Sequence, residues 1–342
     1  MKVLIAGPAS VHLSNYCRAI KLHINQLIFL SETPFNIPEA TKSYIVSFRG
    51  INIFRLLSNI KRLQKVIAEE MPDVIHVHQI NRLAYFIYRA MNGTNIPLVT
   101  TAWGSDVLLV PQKNIIYRNM IASVIKYSSV VTADALIMIE AMKKLDTSNS
   151  KYIWLQYGIY PIIPSIKEKI IYSNRLHKPL YNIDIIIRDF AAFSAKKSEW
   201  MLYVAGEGSE TPKLKSLANE LKLSDKIKFL GWVDKETNNK NYSIASIYVS
   251  IASSDGTSVS LLEAMSANCI PIVSDIPVTK EWINDGINGI IRKPNINPFE
   301  EALKLDRDKC FSINSQKIIS SASRQQSTLR FFEIYKQSIS DN

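Results

Sequence analysis

Along its length the chain alternates short, almost unbroken apolar runs with longer stretches in which apolar residues return every three or four positions. Unbroken runs are expected of strands buried on both faces of a parallel sheet, and the longer period of helices that cover such a sheet. Residues 2–7 (KVLIAG) read as a first strand ending at a glycine, and 27–30, 44–46, 73–77, 97–102, 129–133 and 152–155 as further strands. Among the helices, 53–71 places Phe54, Leu57, Ile60, Leu63 and Ile67 on one face, with Arg55, Lys61, Arg62 and Lys65 interspersed. Residues 115–127 and 135–145 read as helices as well. Residues 158–167, with Pro161 and Pro164, interrupt the pattern and read as a linker. The alternation restarts with strands at 170–173, 200–205, 226–229, 248–251 and 270–274 and closes on a helix near 321–339. An α/β protein of two domains follows, residues 1–165 and 166–320, with 321–342 as a terminal helix.

Composition changes little in this picture. A chain of 342 residues exceeds a typical single domain, and 47% apolar with 21% charged residues suits a globular protein. No run of eighteen apolar residues occurs, and the opening MKVLIAGPAS is too short for a signal peptide, so a cytoplasmic location is expected. Cys17, Cys269 and Cys310 lie far apart, in neither a disulfide nor a zinc pattern.

Charge is more informative. The net charge is +11, and residues 1–165 hold 17 Lys and Arg against 9 Asp and Glu, while the remainder holds 24 against 21. A basic first half admits an anionic membrane surface, an acidic or lipid-diphosphate acceptor, or nucleic acid as partner. No helix-turn-helix, zinc-finger or aromatic RNA-binding signature accompanies it, so nucleic acid is not expected. Helix 53–71 would suit a membrane surface, but the strand that follows at once favours an ordinary outer helix.

The chemistry concentrates in residues 248–275, YVSIASSDGTSVSLLEAMSANCIPIVSD, which read as strand, polar loop, helix and strand. Asp255 lies just ahead of a helix N-terminus and Glu263 inside the helix, with seven residues between them. The loop Asp255-Gly256-Thr257-Ser258 aims free backbone N–H groups and the positive end of the helix dipole at whatever lies above the strand ends, where a phosphate would bind. Two acids at this spacing also fit a bland reading: Ser260-x-x-Glu263 is a capping box, and Asp255 a turn residue. His76 and His78 share one side of their strand, but nothing supplies a third ligand, so a metal is not expected. Asp306-Arg307-Asp308 forms a DxD in a charged helical stretch rather than at a strand end.

Several of these segments together resemble the retaining GT-B glycosyltransferases of the large family four. Asp255 with Glu263, followed by AMSANCIPIVSD, resembles the E-x7-E signature, with Asp in the first place. Asn174-Arg175-Leu176 resembles the GRL turn, and Gly206-Glu207-Gly208 and Gly231-Trp232 resemble the nucleotide-side loops. Asp285-Gly286-Ile287-Asn288-Gly289 resembles DGxNG, residues 72–78 resemble PDxIHxH, and Trp103-Gly104-Ser105-Asp106 resembles HG-S-D with Trp103 where a histidine is usual.

The resemblance implies a GT-B architecture, two facing Rossmann-like domains with a cleft between them and the last helix crossing back to the first. It implies that Asp255 holds donor-sugar hydroxyls, Glu263 the ribose, and Gly256, Thr257 and Ser258 the diphosphate. Arg175 would clamp that diphosphate, with Lys178 replacing the usual lysine, whose position here is Leu180. Gly7, Gly206 and Gly208 would face the donor, and Trp232 would wall the base. Trp103 and Asp106 would lie by the reacting carbon, and His12 and His78 on the acceptor side.

The implied reaction moves a sugar from a nucleoside diphosphate to a carbohydrate or lipid-linked hydroxyl without a metal, because Arg175 and the helix N-terminus supply the positive charge. A tryptophan cannot shuttle a proton, so Trp103 leaves two alternatives open: a non-catalytic nucleotide-sugar-binding subunit, or an epimerase of the same fold.

Overall fold

The computed structural model describes residues 1–48, 53–146 and 151–341. The chain divides into two compact units, Met1–Gly158 with Arg324–Asn342, and Ile159–Ser323. The division thus falls at Gly158/Ile159 rather than at 165, and the return at Ser323/Arg324 rather than at 320. Residues 159–165 belong to the second unit because Ile162 is buried in its core and its N–H donates to Ser266 Oγ.

In the first unit the strands are β1 (Lys2–Ala6), β2 (Gln26–Ser31), β3 (Lys42–Ile45), β4 (Val74–His78), β5 (Leu98–Thr101), β6 (Val130–Ala133) and β7 (Tyr152–Trp154). They pair in parallel in the order β3-β2-β1-β4-β5-β6-β7. The helices are α1 (Val11–Ile20), α2 (Ile53–Glu70), α3 (Arg82–Ala90), the short α4 (Ser105–Leu108) and α5 (Val110–Lys113), α6 (Ile115–Tyr127) and α7 (Leu136–Leu145). Strands β4, β5 and β6 are buried along their whole length, and β1 and β2 beyond their first residue, as the apolar runs require; β4 is buried even at His76 and His78.

The second unit repeats the plan. Its strands are β8 (Glu168–Ser173), β9 (Met201–Ala205), β10 (Ile227–Gly231), β11 (Ala245–Ser250), β12 (Ile270–Val273) and β13 (Ile290–Ile291), parallel in the order β10-β9-β8-β11-β12-β13. Its helices are α8 (Ile183–Ser194), α9 (Thr211–Glu220), α10 (Lys235–Ile244), α11 (Val259–Ser266), α12 (Pro277–Trp282), α13 (Pro298–Ala302) and α14 (Arg307–Lys317). On α8, Ile183, Ile186, Ile187, Phe190 and Phe193 recur at helical spacing and bury that stripe against β8, β9 and β11.

The last helix, α15 (Arg324–Ser340), returns to the first unit, where Phe331, Ile334 and Tyr335 join the core formed by Val3, Tyr16 and Val74. In each unit the strand order reverses once, between β1 and β4 and between β8 and β11. In open parallel sheets that reversal leaves a crevice at the C-terminal strand ends, where ligands bind.

Candidate functional site

The loops after β8 and β11 meet at the second unit's reversal point. Ser253 N–H donates to Leu180 O at 2.9 Å, and the Asn182 side-chain amide donates to Ile251 O at 2.8 Å and Ser253 Oγ at 2.9 Å. This brings Arg175 onto the opposite loop. Its Nη2 donates to Asp255 Oδ2 at 2.7 Å and its Nη1 to Ser258 Oγ at 2.6 Å, while the guanidinium lies 4.4 Å from the Tyr181 ring centre. Burial raises the Asp255 carboxyl above its usual range, and the adjacent guanidinium opposes that shift.

Ser258 is the N-cap of α11, its hydroxyl accepting from Leu261 N–H. The expectation that Ser260 could cap this helix with Glu263 is therefore corrected: Glu263 lies in the second turn, beyond the N3 position a capping box requires. Ser260 instead lies beside the buried phenols of Tyr242 and Tyr248. Glu263 is half-buried near Tyr242. Burial, with Tyr248 and the Glu263 carboxylate adding, holds the Tyr242 phenol well above its ordinary range.

Asn174, where the resembling turn has glycine, bridges this cluster by donating to Tyr242 Oη at 2.8 Å and accepting from the Tyr248 hydroxyl at 3.2 Å. It therefore fixes the floor under Arg175. The space beneath the loop, bounded by Asp255, Thr257, Ser258, Ser274 and Thr279, has room for only about 10 Å³. That is at most water-sized, so a ligand would have to sit above the loop.

The two glycine loops pack on the Arg175 segment. Gly206 has φ 104°, and a Cβ there would lie 2.5 Å from Arg175 O; one at Gly208 would lie 2.4 Å from His177 O. These glycines make room for protein backbone, a role their motif did not disclose. His177, not singled out from sequence, is buried, with Nδ1 2.8 Å from Thr211 Oγ1 and Nε2 without a partner. Trp232 is 74% exposed, and Lys178 and Gly256 are also at least partly open. Thr257 is buried at the helix start.

The remaining motifs are structural. Asp285 to Gly289 closes a turn in which Asn288, fully buried, receives Asn284 N–H and donates to Trp282 O and Asn314 Oδ1. Asp306 of the DxD caps α14 by accepting from Lys309 N–H at 3.0 Å.

At the first unit's reversal point, Gly7 ends β1 against His78, whose Cβ and carbonyl oxygen would each be 3.1 Å from a Cβ at that glycine. Gly7 therefore packs strand against strand. His78 was expected on the acceptor side, but it is fully buried, and only its Nδ1 has a partner, Tyr157 Oη at 2.9 Å. Tyr157 also accepts the Trp103 indole N–H at 2.6 Å. The single hydrogen bond available to Trp103 is thereby committed within the protein. His12 is exposed and meets Trp103 edge-on, ring centres 6.4 Å apart.

Asp106, expected as a cleft residue, is 3% exposed and accepts the backbone N–H groups of Ile80 and Trp103, with burial lifting its carboxyl to about 6. It holds the turn from below. Behind Trp103, His76 bonds Tyr335 Oη at 2.6 Å and Thr101 Oγ1 at 2.7 Å, and Tyr335 bonds Tyr16 Oη at 2.6 Å. Burial pushes His76 down to about 3 and, with His76 beside it, His78 well below its usual range. Both imidazoles are therefore neutral. Tyr157 and Tyr335 escaped sequence reasoning, since neither belongs to a motif.

Comparison with known proteins fits this geometry. Residues 162–308 match the family model described as glycosyl transferases group 1, and residues 2–139 match glycosyl transferase 4-like. The N-acetyl-alpha-D-glucosaminyl L-malate synthase of Bacillus anthracis is 23% identical over 254 residues, 67% of this chain but only 64% of that protein's length. Among solved structures, a glycosyltransferase from Rickettsia africae ESF-5 superposes with TM-score 0.80 at 17% identity, covering 100% of this chain and 99% of that one. HepE of Anabaena, solved with UDP, superposes with TM-score 0.80 at 12% identity, covering 98% and 100%. With both halves matched and both sheets built on the same plan, the chain belongs to the GT-B glycosyltransferases, its second unit carrying the group 1 domain.

Proposed function

We propose that this protein transfers a sugar from a nucleoside-diphosphate sugar to a hydroxyl acceptor with retention of anomeric configuration. One observation carries the reading: Arg175, Asp255 and Ser258 converge from loops some 80 residues apart, at the N-terminus of the helix that also bears Glu263. A guanidinium beside the N–H groups of a helix start is matched to a diphosphate. The acceptor oxygen bonds to the anomeric carbon as the bond from that carbon to the phosphate oxygen breaks. Its electron pair leaves with the diphosphate, and the acceptor proton passes to the departing phosphate. Arg175 and the α11 N-terminus stabilise the leaving charge, so no metal and no protein nucleophile are invoked.

Glu263 binds the ribose and Trp232 flanks the base. UDP is the first nucleotide to try, because HepE of Anabaena was solved with it. Glu263→Ala should abolish nucleotide binding by calorimetry; normal binding would remove the ribose assignment. Release of free nucleoside diphosphate on adding an acceptor would eliminate the non-catalytic binding subunit, and product analysis without acceptor would detect an epimerase.

The acceptor side of the proposal is a carbohydrate or lipid-linked molecule met at a cytoplasmic membrane face, in the assembly of a surface polysaccharide or glycolipid. Its support is α2, where Ile53, Phe54 and Leu57 are exposed alongside Arg55, Lys61, Arg62 and Lys65. No described helix is long and apolar enough to cross a membrane.

A further inference from the structure

We infer that Asp255 also serves as the counter-ion of Arg175 until a donor arrives, and that donor binding exchanges this carboxylate for the diphosphate. The inference rests on the donor site proposed above and concerns how that site tells an intact donor from spent nucleotide. The guanidinium is held from three directions, by Ser258 Oγ at 2.6 Å, by the Tyr181 face at 4.4 Å and by Asp255 at 2.7 Å. Two of these holds are neutral and would survive a phosphate. The third carries the same sign of charge as the ligand.

The Arg175 and Asp255 side chains are only 12% and 25% exposed, so water screens their attraction poorly. A diphosphate approaching the α11 N-terminus therefore meets a clamp whose positive charge is already answered. The carboxylate must turn away before the phosphate oxygens can bind. With an intact donor, the sugar hydroxyls receive the displaced carboxylate. With the nucleoside diphosphate alone, nothing receives it, and the carboxylate competes for its old partner.

The exchange thus favours donor over product. After transfer, Asp255 returns to Arg175 and helps expel the nucleotide. Binding to a state that must first be opened lowers the apparent affinity by the open fraction, and removing the competitor restores it.

The test is calorimetric titration of UDP, GDP and ADP, and of the sugar form of whichever binds, into the wild type and Asp255→Asn. Asparagine keeps the shape and removes the charge. We expect the nucleoside diphosphate to bind Asp255→Asn about five- to tenfold more tightly than the wild type, with a smaller gain or a loss for the nucleotide sugar. Equal or weaker binding of the nucleoside diphosphate by the variant overturns the exchange while leaving the donor site standing. Failure of every nucleotide to bind either protein overturns the donor site and the inference together. If Asp255→Asn does not fold, judged by its thermal transition, Asp255→Ser carries the same comparison.

Discussion

At the β8/β11 reversal of the second unit, the loops present a guanidinium, a carboxylate and a helix N-terminus, with Asn174 and the buried Tyr242 and Tyr248 beneath. At the β1/β4 reversal of the first unit, the same position in the wiring is filled by Tyr16, His76, His78, Tyr157 and Tyr335, joined by hydrogen bonds and ring contacts. One crevice holds charge near solvent; the other is a sealed polar core with Trp103 and His12 at its edge. Strand order explains where each site lies. What each can do depends on which residues the loops bring, and the difference divides the molecule into a part whose variants should alter ligand binding and a part whose variants should alter stability.

The strongest way to break this division is Arg175→Ala. Losing a charge-assisted clamp should weaken nucleoside diphosphate binding about 100-fold, or about 3 kcal/mol, with the thermal transition little changed. Calorimetry with a melting curve checks both halves, and a lost fold with unchanged binding would reverse the assignment.

Acid should act on the first unit next. His76 is held at about 3 in the folded state against an ordinary 6.5, so its contribution is present above pH 6.5 and is lost as pH falls toward 3. At pH 5 the loss should be about 2 kcal/mol from this histidine, with His78 adding in the same direction. Urea unfolding from pH 7 to 5 measures it; a flat profile would mean the imidazoles are not sealed.

Tyr335→Phe should follow, removing the hydroxyl shared by His76 and Tyr16 and lowering stability by about 1 to 2 kcal/mol without affecting nucleotide affinity. The smallest effect is expected of Lys178→Ala. Its side chain is exposed, so nucleotide affinity should fall by no more than about threefold, and a larger loss would enlist Lys178 in the clamp.

Much of this was legible in the sequence. The parallel sheets follow from apolar runs, and the Asp255 to Glu263 segment lies on the strand, loop and helix that its pattern predicts. The order of Arg175, the glycine loops and Glu263 pointed to one site although no single motif could. Partners were not legible. That Ser258 caps α11 and also receives Arg175, or that Gly206 accommodates a carbonyl rather than a ligand, depends on contacts across more than thirty positions, which local spacing does not encode. The domain boundary was misplaced because Pro161 and Pro164 look like a linker, whereas Ile159 and Ile162 are buried. His78 reads as a reactive group at a strand end, yet strand β4 buries it with its neighbours.

The return of α15 to the first unit bears on synthesis. Residues 159–323 can complete their own sheet as soon as they leave the ribosome, while the sheet made first lacks the wall supplied by Phe331, Ile334 and Tyr335 until those residues emerge. The half translated second should therefore mature first, and an amino-terminal fragment of residues 1–158, expressed alone, should expose Tyr16 and the His76 side of its sheet and aggregate.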